Sequence, residues 1–171
     1  GNICNGVTSA DSAPPLMVMD AQLQIQGPDG KRQESITSFY HGPGRVNLAP
    51  GEIVTAFLIK PEDYAEASGF YHKYAMRDAM DIATISCAAL CRIEENQLQE
   101  LRLAFGVAAP VPIRCFKVES AVRGEAISEK LFDEIAQKVM EEVSPRTSWR
   151  ASREFRLHLI GELSRRVVSK A

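Results

Sequence analysis

The chain has 171 residues, a formal net charge of −2, and 45% hydrophobic and 25% charged residues. This length and composition are typical of a soluble globular protein with a buried core, formed by one large domain or two small ones. The near-neutral charge argues against nucleic acid or an anionic membrane as the main partner. No stretch approaches the roughly 18 apolar residues of a membrane span, and no secretory leader is recognisable, so we expect a cytoplasmic protein. Because the first residue is a loop-like glycine rather than Met, we also expect the chain to be part of a longer protein.

The cysteines do not have the spacing of a metal site. None of them forms a C-x-x-C pair or lies close in sequence to a histidine; they are Cys4, Cys87, Cys91 and Cys115. Zinc and iron–sulfur sites need such clusters, so we predict no metal ligand in this chain. The mostly apolar neighbours of the cysteines predict reduced, buried thiols.

Strand and turn patterns dominate the first half of the chain. Residues 1–15 are small, polar and rich in turn formers, with no helical or strand period. Residues 16–26 are predicted to form a strand, and the sequence GPDG at residues 27–30 predicts a turn that closes a hairpin. The apolar, β-rich run at residues 51–59 predicts a further strand.

The composition of residues 61–68 is that of a linker, and we place a domain boundary there. The predicted domains cover residues 1–66 and 67–171. In the second domain, the period-two alternation of residues 85–93 and 101–105 predicts an antiparallel hairpin.

Two helices are predicted after the hairpin. The first begins at Ser128, a good N-cap residue, and runs to Val143 before a Ser-Pro stop. The second covers residues 151–168 and carries Arg156 on its polar face with three other arginines. Strands followed by helices predict an α+β fold, with the helices on one face of an antiparallel sheet.

The C-terminal segment is basic. Residues 144–171 contain six arginines and one lysine against two glutamates. This charge is explained either by the polar face of an amphipathic helix or by a docking surface for a partner subunit.

The opening loop has the chemistry of a cofactor-binding loop. Gly1 and Gly6 allow a close backbone approach, Asn2 offers hydrogen bonds, and Asp11 can accept from a hydroxyl or a ring N–H. The alternative is a surface loop held by caps and turns, since the sequence matches neither of the two common glycine-rich phosphate motifs.

Charged residues also crowd the predicted loop at residues 76–82. Lys73, Arg77, Asp78 and Asp81 could hold an anion or set a redox potential. The alternative is a solvated loop with weak ion pairs.

The opening sequence GNICNGVTSADSAPPL resembles the second flavin loop of molybdenum hydroxylase flavoproteins. That loop follows a T-x-G-G-N-type pattern with an acid nine residues after the Asn. Gly1 and Asn2 match the end of the pattern, and Asp11 matches the acid. The run GEIVTAFLIKP is similar to the family's strand that lays an aliphatic side chain against the flavin ring, at Val54 or its neighbour Ile53.

Two further regions carry the resemblance to the C-terminus. The sequence HKYAMRDAMDIATISCA resembles the family's flavin-side loop, with Lys73 at its start. The sequences LRLAFGVAAPVPIRC and PRTSWRASREFRLHLI resemble the C-terminal domain of the FAD subunit in bacterial xanthine dehydrogenases. The resemblance implies the end of the second FAD-binding subdomain, followed by an α+β domain like that of the carbon monoxide dehydrogenase flavoprotein.

The resemblance also implies a function. In this family a molybdopterin-containing large subunit hydroxylates the substrate, here a purine. Electrons then cross [2Fe–2S] clusters in a small subunit to FAD, which reduces NAD⁺. The glycine-rich N-terminal segment that holds the flavin diphosphate is absent from this chain. The alternatives are an assembly module that binds no cofactor, or a flavin subunit of a member acting on CO, an aldehyde or an aromatic thioester.

The implied roles fall on five residues. Gly1, Asn2 and Asp11 would form hydrogen bonds with FAD, and Val54 would pack against the isoalloxazine ring. Lys73 would supply positive charge beside the ring or the phosphates. None of these is an acid–base catalyst, so the sequence predicts no catalytic residue.

Overall fold

The structure is a computed structural model that describes all 171 residues and contains five α-helices, one 3-10 helix (Val139–Glu141) and nine strands. The helices are α1 (Ala13–Val18), α2 (Pro61–Tyr64), α3 (Phe116–Ala121), α4 (Glu129–Lys138) and α5 (Arg153–Val168). The strands are β1 (Gln22–Gly27), β2 (Gly30–Ser35), β3 (Tyr40–Gly42), β4 (Arg45–Val46), β5 (Ile53–Leu58), β6 (Ser68–Tyr74), β7 (Ile85–Glu94), β8 (Gln97–Gly106) and β9 (Ile113–Arg114). They form three antiparallel sheets, ordered β2-β1-β5, β3-β4 and β6-β7-β8-β9. Each of the helices is too short or too polar to cross a membrane.

The four-stranded sheet is covered on both faces. A larger core fills the space between one face and helices α3, α4 and α5. The other face packs against the first half of the chain, and Ala88, Leu90 and Ala104 of β7 and β8 belong to that smaller core. The predicted α+β fold, with helices on one face of an antiparallel sheet, is confirmed. The predicted boundary between residues 66 and 67 stays a prediction, because β7 and β8 contribute to both cores.

The predicted hairpin at residues 85–105 is confirmed as β7 and β8. Glu95 and Asn96 form its turn with φ angles of 48° and 63°, and asparagine is among the residues that tolerate this left-handed region. The predicted N-cap is also confirmed, since the Ser128 side chain accepts a hydrogen bond from the N–H of Leu131.

The predicted strand at residues 16–26 is wrong in its first half. Helix α1 occupies Ala13–Val18, and β1 begins only at Gln22. Pro14 lies in the first turn of α1. An N–H in this turn has no hydrogen-bond partner within the helix, so its absence in proline costs nothing, and the fixed φ of proline favours the helix. The sequence pattern of apolar residues alone did not reveal this short helix.

The predicted position of Arg156 on the polar face of α5 is also wrong. Arg156 is only 2% exposed. Its guanidinium donates to the carbonyl oxygen of Arg146 and to the hydroxyl of Ser148, each at 2.7 Å. This buried side chain therefore fixes the turn that precedes α5.

Two buried arginines attach the end of α1 to the sheet, since Arg102 donates to the carbonyl oxygen of Val18 and Arg114 to that of Met17. The side chains of Arg102 on β8 and Arg114 on β9 are each only 8% exposed, and both contact the Asp20 carboxylate. Arg114 also pairs with Glu119 of α3 at 2.8 Å. Burial raises the pKa of Glu119 although Arg114 opposes this effect, so the carboxylate depends on its arginine partner.

A row of three aligned residues supports the opening loop. Lys73 of β6 is aligned with Ser86 of β7, and Ser86 is aligned with Gly106 of β8. A side chain at Gly106 would lie 2.4 Å from Ser86 Oγ and 3.1 Å from the carbonyl oxygen of Thr8. The missing side chain therefore allows the opening loop to lie directly on the sheet.

We expect Arg114→Met to lower the free energy of unfolding by roughly 3 kcal/mol, because it leaves a buried carboxylate without its partner. Urea denaturation monitored by circular dichroism measures this change. The control is Arg123→Met. Because Arg123 is exposed, this variant should change the free energy of unfolding by less than about 0.5 kcal/mol. Equal losses in the two variants would contradict the proposed role of the buried ion pair.

We expect Gly106→Ala to lower the free energy of unfolding by about 2 kcal/mol, because the added methyl overlaps backbone and side-chain atoms. The matched control is Gly161→Ala in α5, where the methyl meets only the terminal methyl of Met140 at 3.2 Å. Alanine is favoured over glycine in helices by about 1 kcal/mol. The same denaturation experiment should show no loss for this control, and a stable Gly106→Ala variant would disprove the close packing.

Candidate functional site

The opening loop, residues 1–12, lies across one end of the four-stranded sheet. The N–H of Val107 donates to the Thr8 carbonyl oxygen at 3.0 Å, and the Thr8 hydroxyl donates to the carbonyl oxygen of Ala109 at 2.8 Å. Within the loop, Asn2 Oδ1 accepts hydrogen bonds from the backbone N–H and the hydroxyl of Ser12 at 3.1 and 2.6 Å. These contacts fix both ends of the loop.

An ion pair joins this loop to β6. Lys73 Nζ donates to Asp11 Oδ2 and to the carbonyl oxygen of Asp81, each at 2.7 Å. The side chain of Asp11 is 45% exposed and that of Lys73 is 26% exposed. The structure thus brings together two of the predicted site residues, Asp11 and Lys73, and adds a link to the loop between β6 and β7.

The loop at residues 75–82 is organised by Asp81. Its carboxylate accepts hydrogen bonds from the backbone N–H groups of Met76, Arg77 and Ile82. Burial opposes ionisation, but these three hydrogen bonds lower the pKa of Asp81. Its side chain is only 9% exposed, so it is not a solvated loop carboxylate. Asp78, by contrast, is exposed.

The remaining predicted site residues lie apart from this ion pair. Val54 is half-buried on β5 and packs against the smaller core, whereas its neighbour Ile53 is 63% exposed. Gly1 is exposed, and a side chain there would meet no other atom of the chain. Gly6 has a φ of 66°, and a side chain there would lie 2.9 Å from the backbone of Gly44. The glycine at position 6 is therefore required by packing.

A pocket of about 430 Å³ lies beside the opening loop. Its walls come from the loop, from the turn between β3 and β4, and from the segments that follow β8 and α4; they are Val7, Thr8, Ser9, Pro43, Gly44, Val107, Ala109, Pro110, Ser144 and Arg146. Its volume is within the roughly 300–1,000 Å³ typical of small-molecule sites. The sequence did not predict this pocket, because its walls come from four separate segments.

One wall of the pocket is strained. Val107 has a φ of 65°, a conformation that is rare for a β-branched residue. Two contacts with Thr8 hold it there, since the Val107 N–H approaches both the carbonyl oxygen and the hydroxyl of Thr8. Backbone strain of this kind concentrates at functional sites. The signal in the sequence was the break GVAAP directly after a strand.

Comparison with known proteins identifies the family. Residues 1–61 match the family model described as the FAD binding domain in molybdopterin dehydrogenase, and residues 70–171 match the CO dehydrogenase flavoprotein C-terminal domain. The whole chain is 50% identical to the xanthine dehydrogenase FAD-binding subunit of Escherichia coli O157:H7 and covers 59% of that relative. It is 26% identical over 164 residues to the glyceraldehyde dehydrogenase medium chain of Sulfolobus acidocaldarius, covering 57% of it.

Solved structures share the fold. A chain of the carbon monoxide dehydrogenase from Hydrogenophaga pseudoflava superimposes on the whole chain with a TM-score of 0.92 at 21% identity, and 59% of that chain is covered. A chain of quinoline 2-oxidoreductase from Pseudomonas putida 86 gives a TM-score of 0.90 at 24% identity, also with 59% covered. The resemblance seen in the sequence is thereby confirmed. The chain belongs to the CO dehydrogenase flavoprotein C-terminal domain family, preceded by an FAD-binding domain of the molybdopterin dehydrogenase type.

Proposed function

We propose that the chain forms one wall of the FAD site in the electron-transfer subunit of a xanthine dehydrogenase-type molybdenum hydroxylase. The ion pair between Asp11 and Lys73 carries this proposal, because it joins the opening loop to the sheet where the family resemblance expects the flavin. The 50% identity to a relative named as an FAD-binding subunit supports it. Relatives named for glyceraldehyde or carbon monoxide are 22–26% identical, and the proposal of a purine substrate for the whole enzyme rests on the 50% identical relative named for xanthine.

The polar groups at this site fit FAD. The Asp11 side chain is 45% exposed, while its Oδ1 is shielded from solvent and has no hydrogen-bond partner in the chain. The carboxylate therefore has lone pairs beyond those used by Lys73. It can accept a hydrogen bond from a hydroxyl or ring N–H of the cofactor, and Asn2 and the backbone at Gly1 add further polar contacts. Lys73 places positive charge where it stabilises negative charge added to the cofactor. Val54 is proposed to supply an apolar contact from β5.

When bound, FAD supplies a ring that accepts electrons and passes them to an acceptor. The chain's own residues bind and orient this ring and shield it from water. None of them is proposed to transfer a proton, so the proposal contains no catalytic residue. The molybdopterin and [2Fe–2S] groups are assigned to a large and a small partner subunit in the cytoplasm, with no nucleic acid or membrane involved.

The pocket beside the opening loop is the proposed site for the electron acceptor, NAD⁺. It is adjacent to the loop that carries Asp11, and the strained Val107 forms one wall. Arg146 offers positive charge to a diphosphate, while Thr8 and Ser9 offer backbone and hydroxyl groups. The pocket therefore combines an anion-binding group with a position next to the proposed flavin site.

We expect Asp11→Ala to weaken FAD binding by roughly tenfold or more in the holoenzyme, because an acceptor for the cofactor and the partner of Lys73 are lost. The flavin content after gel filtration, read from visible absorbance, measures this. Asp78→Ala is the control, since Asp78 is an exposed loop carboxylate and the variant should keep its flavin. Full flavin occupancy in both variants would refute the assignment of Asp11.

We expect Arg146→Gln to raise KM for NAD⁺ by roughly tenfold to a hundredfold, because a charged contact to the diphosphate is lost. Purine oxidation with an artificial dye that takes electrons upstream of the flavin should be unchanged. Steady-state kinetics with both acceptors measure the difference. Arg153→Gln is the control, because Arg153 is exposed outside the pocket. Equal effects on the two acceptors would place the NAD⁺ site elsewhere.

A further inference from the structure

The segment of residues 146–156, which leads into α5, carries positive charge that the chain does not neutralise. Its arginines form no ion pair with any carboxylate; they are Arg146, Arg150, Arg153 and Arg156. Its one acidic residue, Glu154, is exposed and forms no ion pair either. At the other end of α5, Arg165 pairs with Asp133 at 2.9 Å. The basic charge of the C-terminal segment is therefore balanced at the end of α5 and left open at its start.

Arg156 is a buried cation without a counter-ion. It is 2% exposed, and its guanidinium donates only to neutral oxygens, the carbonyl oxygen of Arg146 and the hydroxyl of Ser148. Its Nε is shielded from solvent and has no hydrogen-bond partner in the chain. Burial, followed by the charges of Arg146 and Arg150, lowers the pKa of Arg156. Because a buried positive charge is costly unless negative charge approaches it, this segment favours an acidic partner.

An exposed tryptophan lies among these arginines. Trp149 is 77% exposed, and it lies in the turn closed by the bridge between Ser148 and Ala151. The guanidinium of Arg150 lies 4.2 Å from the centroid of the indole ring, within the range of a cation–π contact. Tryptophan and arginine are enriched among the residues that contribute most of the binding energy at protein interfaces. The turn therefore presents side chains typical of an interface.

The exposed surface continues onto α5 and β6. Phe155 of α5 is 43% exposed, and Tyr74 at the end of β6 is 37% exposed. Their rings are in edge contact, with centroids 6.3 Å apart. Met76, in the loop that follows β6, is 64% exposed. Aromatic residues and methionine are enriched at protein interfaces, whereas the binding of a free anion needs only the arginines. These apolar neighbours favour a protein as the partner.

We propose that Trp149 and Arg150, together with the adjoining rings of Phe155 and Tyr74, form a docking surface for an acidic surface of a partner subunit. Carboxylates of the partner pair with Arg150 and bring negative charge to the buried Arg156. Apolar side chains of the partner cover Trp149. This inference rests on the multi-subunit enzyme of the proposed function and adds the face through which the chain assembles. It does not depend on the role of Asp11 in binding FAD.

Binding of the partner subunits tests the docking surface directly. The FAD-loaded subunit that contains this chain is immobilised, and biolayer interferometry measures its dissociation constant for the co-expressed large and small subunits. We expect Trp149→Ala and Arg150→Glu each to raise this constant roughly thirtyfold or more, because they remove the apolar contact or reverse the charge. The FAD content, read from visible absorbance, should stay unchanged in both variants, and circular dichroism verifies their fold.

The chain offers a matched control for each variant. Phe116 is 52% exposed, and the guanidinium of Arg114 lies 4.9 Å from its ring centroid. That arginine differs from Arg150 because it pairs with Asp20 and Glu119. Arg123 is exposed and forms no ion pair, but no aromatic ring is stacked on it. Phe116→Ala and Arg123→Glu should therefore leave the dissociation constant for the partner subunits within about twofold of the wild-type value.

The outcomes separate the possible occupants of this surface. An unchanged dissociation constant in both Trp149→Ala and Arg150→Glu, or an equal loss in the two controls, would overturn the docking surface. Thermal stabilisation by inorganic phosphate that Arg150→Glu abolishes, with subunit binding unchanged, would overturn it in favour of a free anion. A change in the oligomeric state of the isolated subunit on Trp149→Ala, again with subunit binding unchanged, would overturn it in favour of a second copy.

Failure of the proposed function gives a different result. If the wild-type subunit binds neither the large nor the small subunit, the multi-subunit function fails, and the docking surface fails with it. If the wild-type subunit assembles while both variants assemble equally well, only the docking surface fails. Loss of FAD in Asp11→Ala, with assembly unchanged, supports the separation of the two sites.

Discussion

Strands β7 and β8 are buried on both faces, and the arrangement of the rest of the chain depends on this. A sheet covered on two sides needs side chains that let both layers approach, which explains the small residues at Cys87, Ala88, Ala89 and Ala104. Where the strands end, the same requirement leaves Gly106 without a side chain so that the opening loop can close over the edge. The candidate site is therefore formed where two layers share one pair of strands.

The ion pair between Asp11 and Lys73 holds the opening loop against β6 but adds little to the free energy of unfolding. Both side chains are partly exposed, at 45% and 26%, and exposed pairs of this kind are worth at most about 1 kcal/mol. Arg102 and Arg114 differ, since both are buried and each contacts Asp20 and a backbone carbonyl oxygen of α1. Weak pairing suits the role proposed for Asp11, because its carboxylate keeps lone pairs beyond those used by Lys73.

Local patterns in the sequence were sufficient for the hairpin of β7 and β8 and for the N-cap at Ser128, because alternation and capping depend on neighbouring residues. They failed for Arg156, whose burial depends on a turn ten residues earlier in the chain. The structure places Asp11 and Lys73 in contact although 62 residues separate them. Their assignment to the flavin site by family resemblance stays a prediction. Neither approach could find the pocket beside the opening loop, because its walls come from four separate segments of the chain.

Thr8 connects the two parts of the candidate site. Three residues before Asp11, it accepts from the N–H of Val107 and holds that residue at a φ of 65°. A left-handed conformation outside glycine costs on the order of 1–3 kcal/mol, so Val107 would relax if Thr8 moved. The wall of the pocket and the orientation of the Asp11 carboxylate are thus set by one short segment of backbone. A cofactor that orders this segment through Asp11 would also order the acceptor pocket, which gives a physical reason for placing both ligands on the same loop.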